Sequence, residues 1–124
     1  MGDNYFKNKK VVIIGASGNL GQAYTQAFFQ AGAHLFLLGR NMNKLTSFSE
    51  DIASNIPICS VDITNETSIK VAVSEVQKGS GNIDIVINAA GFDVRKSLLS
   101  HSEEEINQTM TINLIGAILV SKHF

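Results

Sequence analysis

A single cysteine, Cys59, in 124 residues excludes a disulfide framework and any cysteine-based metal site. The histidines His34, His101 and His123 are scattered without ligand spacing, so no metal centre is expected. An excess of one charge is lacking as well. The formal net charge is -1, which leaves no broad field to draw the chain to nucleic acid or to an anionic membrane. Any phosphate binding must therefore be local. Long apolar runs are missing: Ile83–Ile87 and Leu114–Val120 are far too short to span a bilayer. The N-terminal residues hold no apolar signal region, and Phe6 stands where a myristoylation signal opening on Met1-Gly2 needs Ser or Thr. The Asn-x-Thr triplets at Asn65 and Asn107 accordingly read as helix-start and helix residues, and the expected setting is cytoplasmic. What remains, 44% hydrophobic and 17% charged, is the composition of one globular domain able to bury a core.

No repeat, linker or low-complexity run divides the chain. Val11–Ile14 predicts a strand that ends in a glycine loop. Leu20, Ala23, Tyr24, Ala27, Phe28 and Ala31 then recur at helical spacing, and Gly32 closes that helix. Leu35–Leu38 predicts a second strand, broken by Gly39; Leu45, Phe48 and Ile52 mark a second helix. Pro57 opens a third strand, Ile58–Val61, and Ile69, Ala72, Val73 and Val76 share one face of a third helix stopped at Gly79. The β-branched run Ile83–Ile87 suits a fourth strand covered on both faces. Ser102 and Glu105 form a capping box for a last helix, which becomes apolar nearly all round between Met110 and Val120. One apolar stripe packs on a sheet and a second needs another partner, so contact between copies through this helix is expected.

Four strands alternating with four helices imply right-handed crossovers and a parallel sheet in the order 3-2-1-4, the start of a Rossmann-like, doubly wound α/β fold. Such a sheet ordinarily continues past its fourth strand. Residues 1–124 are thus expected to be one nucleotide-binding domain, apparently truncated before a C-terminal portion.

Gly15-Ala16-Ser17-Gly18-Asn19-Leu20-Gly21 lies where a dinucleotide diphosphate would rest, between the first strand and first helix. Glycines let backbone approach the diphosphate, whose charge is met by amides at the helix N-terminus. The bland alternative is a tight structural turn. After the second strand comes Gly39-Arg40-Asn41, with no acid to accept a ribose 2′-hydroxyl. Arg40 suits a 2′-phosphate, favouring NADP(H) with NAD(H) possible, or it is a solvated surface arginine.

From Lys10 to Phe124 the chain resembles the short-chain dehydrogenase/reductase family, chiefly its classical branch. The resemblance rests on the glycine loop, Val61-Asp62-Ile63, Asn88-Ala89-Ala90-Gly91 and Ile112-Asn113-Leu114-Ile115-Gly116. It implies that Asp62 contacts the adenine with Ile63 beside it, and that Asn88, Ala89, Ala90 and Gly91 line the cofactor. It also implies that Asn113 is the asparagine of an Asn-Ser-Tyr-Lys tetrad, helping to hold a water in a proton relay. Read without the resemblance, Asp62 could cap the helix beginning near Asn65, and Asn113 could be a buried amide bonded to backbone. Ile14 precedes the first glycine and Gly18 lies three residues before Gly21, a spacing more typical of extended and atypical members. Some of those bind cofactor without catalysis.

The family's serine, tyrosine and lysine would lie past Phe124. Tyr5 and Lys9 do form a Tyr-x-x-x-Lys, but they precede the first strand, at the end of the sheet opposite a ligand crevice, and are rejected as catalytic. Two functions follow from the resemblance. One is the cofactor-binding portion of an NADP(H)-dependent oxidoreductase acting on a small carbonyl or alcohol. The other is a non-catalytic NAD(P)-binding or regulatory module.

Overall fold

The apolar runs pair as one parallel sheet of β1 (Lys10–Ile14), β2 (His34–Gly39), β3 (Ile58–Ser60) and β4 (Ile85–Asn88), in the order β3-β2-β1-β4. Val12 lies opposite Phe36 on one side and Val86 on the other. This computed structural model describes residues 4–124, so the Met1-Gly2 start falls outside the described residues. The helices are α1 (Asn19–Gln30), α2 (Met42–Ile52), α3 (Glu66–Ser80), α4 (Glu103–Met110) and α5 (Ala117–His123).

Period-two alternation divides the core between the two sheet faces. Val11, Ile13, Leu35 and Leu37 pack with Leu45, Phe28 and Phe48 beneath α1 and α2. Val12, Ile14, Phe36 and Leu38 pack with Ile69, Ala72 and Val76 of α3 and with Ile112 and Val120. The sheet is therefore sandwiched between helical layers, and the loops at its carboxyl end converge on one side.

Several elements depart from the expected pattern. In α1 the buried positions are Gly21 and Thr25, whereas Leu20 is 66% and Tyr24 41% exposed. Close approach decides this, because a Cβ on Gly21 would sit 2.1 Å from the Gly15 carbonyl oxygen. The contact line must run through small residues, and buried Thr25 satisfies its hydroxyl by donating to the Gly21 carbonyl at 2.7 Å. β3 stops at Ser60 rather than Val61. β4 starts two residues later than Ile83, since Asp84 meets β1 partly through its side chain, its carboxylate accepting from the Lys10 amide at 2.8 Å. β4 touches both helical layers, yet as the sheet edge it stays only half-buried. The third helix runs past Gly79 and ends at Gly81, whose positive φ of 70° turns the chain out.

The last helix changes its hydrogen-bond spacing midway, although its backbone stays right-handed helical. A π-helical segment, Thr111–Gly116, separates α4 from α5. It still leaves an apolar exterior: Met110, Leu114, Ile115 and Ile118 are each about half exposed or more, at 49%, 48%, 48% and 58%. Among the described residues no helix is long and apolar enough to cross a membrane.

Candidate functional site

The glycine loop leaves β1 at Gly15, whose amide donates to the Leu38 carbonyl at 2.8 Å. Gly15 has φ +74°, and a Cβ there would lie 2.7 Å from the Ala90 nitrogen. The loop and the Asn88–Gly91 turn are thus in direct backbone contact, which a side chain would prevent. The turn itself is shaped by Asn88, whose side-chain oxygen accepts from the Ala90 amide at 3.2 Å.

The starts of three helices are closed by side chains: Asn41 accepts from Lys44, Asn65 from Ser68, and Ser102 from Glu105 in a full capping box. The start of α1 differs. Its N-cap is Gly18, which has no side chain to offer. The first amides of α1 therefore keep their hydrogen-bonding capacity and the positive end of the helix dipole for an outside acceptor.

Next to this end opens a cavity of about 790 Å³. Its walls come from the carboxyl ends of all four strands: Gly15, Ser17 and Gly18 after β1, Arg40 after β2, Asp62 and Ile63 after β3, and Ala89, Ala90 and Gly91 after β4. Asn19 and Leu20 begin α1 beside the cavity without lining it, and Gly21 is buried behind the loop. Asn88 and Asn113 do not line it either. Sequence reading overlooked Lys44, Thr64 and Ile112, which do line it. Thr64 follows Asp62 by two residues, a signal that was available.

Asp62 is not the cap of α3; Asn65 is. The Asp62 carboxylate instead accepts from the Thr64 hydroxyl at 2.7 Å and the Thr64 amide at 2.9 Å. Those bonds hold its pKa below the usual carboxylate range, with Arg40 adding a smaller push against the opposing effect of burial. Asn113 is exposed rather than buried. Its side-chain oxygen accepts from the Phe92 amide at 2.8 Å, and its nitrogen donates to the Phe92 carbonyl at 2.7 Å. This two-way bond fastens the π segment to the loop that follows the Gly91 turn. Tyr5 and Lys9 lie at the opposite end, where Lys9 pairs with Asp84 at 3.8 Å.

A second cavity, about 560 Å³, opens at the β3 edge among Phe36, Pro57, Cys59 and Val76. Burial, with help from Glu75, pushes the Cys59 thiol pKa up, away from reactivity.

Fold and cleft together define a parallel α/β domain with a ligand crevice at the carboxyl ends of its strands. The chain belongs to the short chain dehydrogenase family, whose model matches residues 9–124. A dehydrogenase/reductase SDR family member 7B from Bos taurus is 33% identical over 127 residues, covering 95% of this chain and 39% of that protein. Glucose 1-dehydrogenase of Gluconobacter oxydans is 30% identical over 118 residues, covering 92% and 44% respectively. Among solved structures, a Brucella melitensis short-chain dehydrogenase/reductase, titled glucose/ribitol dehydrogenase, superposes with a TM-score of 0.90 at 26% identity. The match covers 97% of this chain and 52% of that one. The chain thus spans about half, or less, of the length of these relatives.

The wall beneath Asp62–Thr64 is braced by Glu66, which accepts from Lys122 at 2.8 Å and meets His123 at 2.7 Å. These partners hold the Glu66 pKa at about 2, and Lys96 with the Ser102 amide does the same for Glu105. A carboxylate with a depressed folded-state pKa stabilises the fold fully above its unfolded value, and that contribution disappears as pH falls through the folded value. Thermal midpoints should accordingly decline from about pH 4.5 towards pH 2, the interval between the ordinary and shifted values. Glu66→Gln should remove part of that acid dependence; a superimposable pH profile would show that the brace contributes nothing.

Proposed function

We propose that this chain is the cofactor-binding portion of an NADP(H)-dependent oxidoreductase, within which carbonyl reduction or alcohol oxidation by hydride transfer belongs to the whole protein. The observation that carries the reading is the uncapped start of α1 facing a cavity built from four strand ends. The residues fit a dinucleotide. Gly15 and Gly21 keep the loop free of side chains where backbone must come close, and the first amides of α1 would take the diphosphate. Asp62 and Ile63 would flank the adenine, Ala89, Ala90 and Gly91 the far ribose. Asn113 would act by holding the Phe92 backbone, as one member of a proton relay. The bound nicotinamide supplies or accepts the hydride; the chain's own residues bind and orient it.

Substrate binding, and with it the identity of the small carbonyl or alcohol, falls to the whole protein. A non-catalytic NAD(P)-binding module is the second reading, favoured by the Ile14-Gly15 and Gly18-to-Gly21 spacing. Two further parts of the proposal are a cytoplasmic setting, supported by the low cysteine content, and self-association through the helix around Met110–Val120. The half-exposed Met110, Leu114 and Ile118 support the latter.

NADP(H) preference rests on Arg40 standing where an acid would otherwise repel a 2′-phosphate. One charge-assisted bond corresponds to a preference of about tenfold or more. Calorimetric titration of NADP⁺ and NAD⁺ against the wild type and Arg40→Ala should show a preference that the mutant loses. Equal discrimination by both proteins would remove Arg40 from the account.

A further inference from the structure

Three other helices of this chain close their first turns with side chains that accept from helix amides. At α1 the side chain of Gln22 does the reverse. Its Nε2 reaches back past Gly18 and donates to the Ser17 carbonyl at 2.9 Å, while the Gln22 amide donates to the Gly18 carbonyl at 2.8 Å. This brace occupies a carbonyl and uses none of the first amides of α1.

The side-chain bond falls on one particular peptide group. Its oxygen, that of Ser17, accepts from Gln22, and its N–H, that of Gly18, donates to the Gly15 carbonyl at 3.1 Å. A peptide is planar, so holding both ends fixes the orientation of the whole unit. Ser17 and Gly18 line the large cavity, whereas Gln22 does not. Gly18 is exposed and has no Cβ to restrict its backbone. Among the described residues, Gln22 supplies the one side-chain bond to this peptide.

We infer that Gln22 is a positioning residue of the cleft: it locks the Ser17–Gly18 peptide, so the glycine loop holds its shape before an anionic diphosphate arrives. The inference rests on the nicotinamide-cofactor reading. An unbraced loop would sample other orientations of this peptide, and affinity falls in proportion to the population of the competent one. The carboxamide suits the place chemically. It donates without adding charge, whereas a glutamate there would lose the donor and repel a diphosphate. Losing one neutral hydrogen bond corresponds to a factor of about three to ten in affinity.

The test is an amide chemical-shift titration of the chain with NAD⁺, ADP and adenosine, in wild type, Gln22→Met and Gln22→Lys. Methionine keeps the length and helix propensity but removes the donor; lysine returns a donor of similar reach. Gln22→Met should weaken NAD⁺ and ADP by about three- to tenfold and move the Gly18 amide resonance of the free protein. Adenosine, which has no diphosphate, should bind both proteins alike. Gln22→Lys, measured in high salt to screen its added charge, should recover most of the loss. NAD⁺ and ADP bound equally by wild type and Gln22→Met would overturn the role of Gln22 and leave the cofactor reading standing. An equal loss for adenosine would show an effect on the whole fold and would overturn that role too. Absence of binding of NAD⁺ and ADP by the wild type would overturn both.

Discussion

Gly21→Ala is expected to destabilise the chain by about 2–3 kcal/mol and to abolish dinucleotide binding. The added methyl would lie 2.1 Å from the Gly15 oxygen, 2.7 Å from the Ala16 Cα and 2.8 Å from the Gly15 carbonyl carbon. All three are backbone atoms of the phosphate-loop segment, so no side-chain rotation relieves the clash. Either α1 lifts from β1, opening the packed contact at Thr25, or the loop deforms and the start of α1 no longer faces the cavity. The sign of the effect is diagnostic. Within an ordinary helix, glycine to alanine stabilises by about 0.5–1 kcal/mol. Denaturant unfolding with an unchanged slope would give the difference directly. A neutral or stabilising result would mean that α1 does not lie as close to the loop as described.

Asn113→Ala should cost about 1 kcal/mol and should release the Phe92 amide to fast hydrogen exchange. Two side-chain bonds to the Phe92 backbone are lost, each worth about 1 kcal/mol net. Alanine returns part of that through its better helix propensity, and water reaches this exposed site. Asn113→Asp separates the two bonds. It keeps an acceptor for the Phe92 amide but sets a carboxylate oxygen against the Phe92 carbonyl, so it should not rescue the variant. Unchanged protection at Phe92 in Asn113→Ala would show that the loop is held by other contacts.

The strand order and the starts of three helices were legible because their causes are local. Apolar runs of strand length alternate with helical periods, and Asn65 and Ser102 are caps recognisable within four residues of sequence. The glycine loop was legible for the same reason. The packed face of α1 was not. Periodicity favoured Leu20, Ala23 and Tyr24, but the loop that precedes the helix demands approach closer than those side chains allow, and Gly21 and Thr25 take the contact instead. The π segment left no local signature either, since Asn113 finds its partner at Phe92, twenty-one residues earlier in the chain. Asp62 was ambiguous between helix cap and site residue until Asn65 took the cap. Of the cavity wall, the positions after each strand could be named in advance. Lys44 could not, because its place there depends on how Asn41 turns α2 across the end of β2.

On the proposed function, one dinucleotide would lie across the carboxyl ends of all four strands. The most direct test of that placement is an amide chemical-shift titration of the chain with NADP⁺. Perturbations are expected at Gly15–Leu20, at Arg40–Lys44, at Asp62–Thr64 and at Ala89–Gly91, saturating together with one affinity. Perturbations confined to the second cavity, around Phe36, Pro57 and Cys59, or no perturbation at millimolar cofactor, would contradict it.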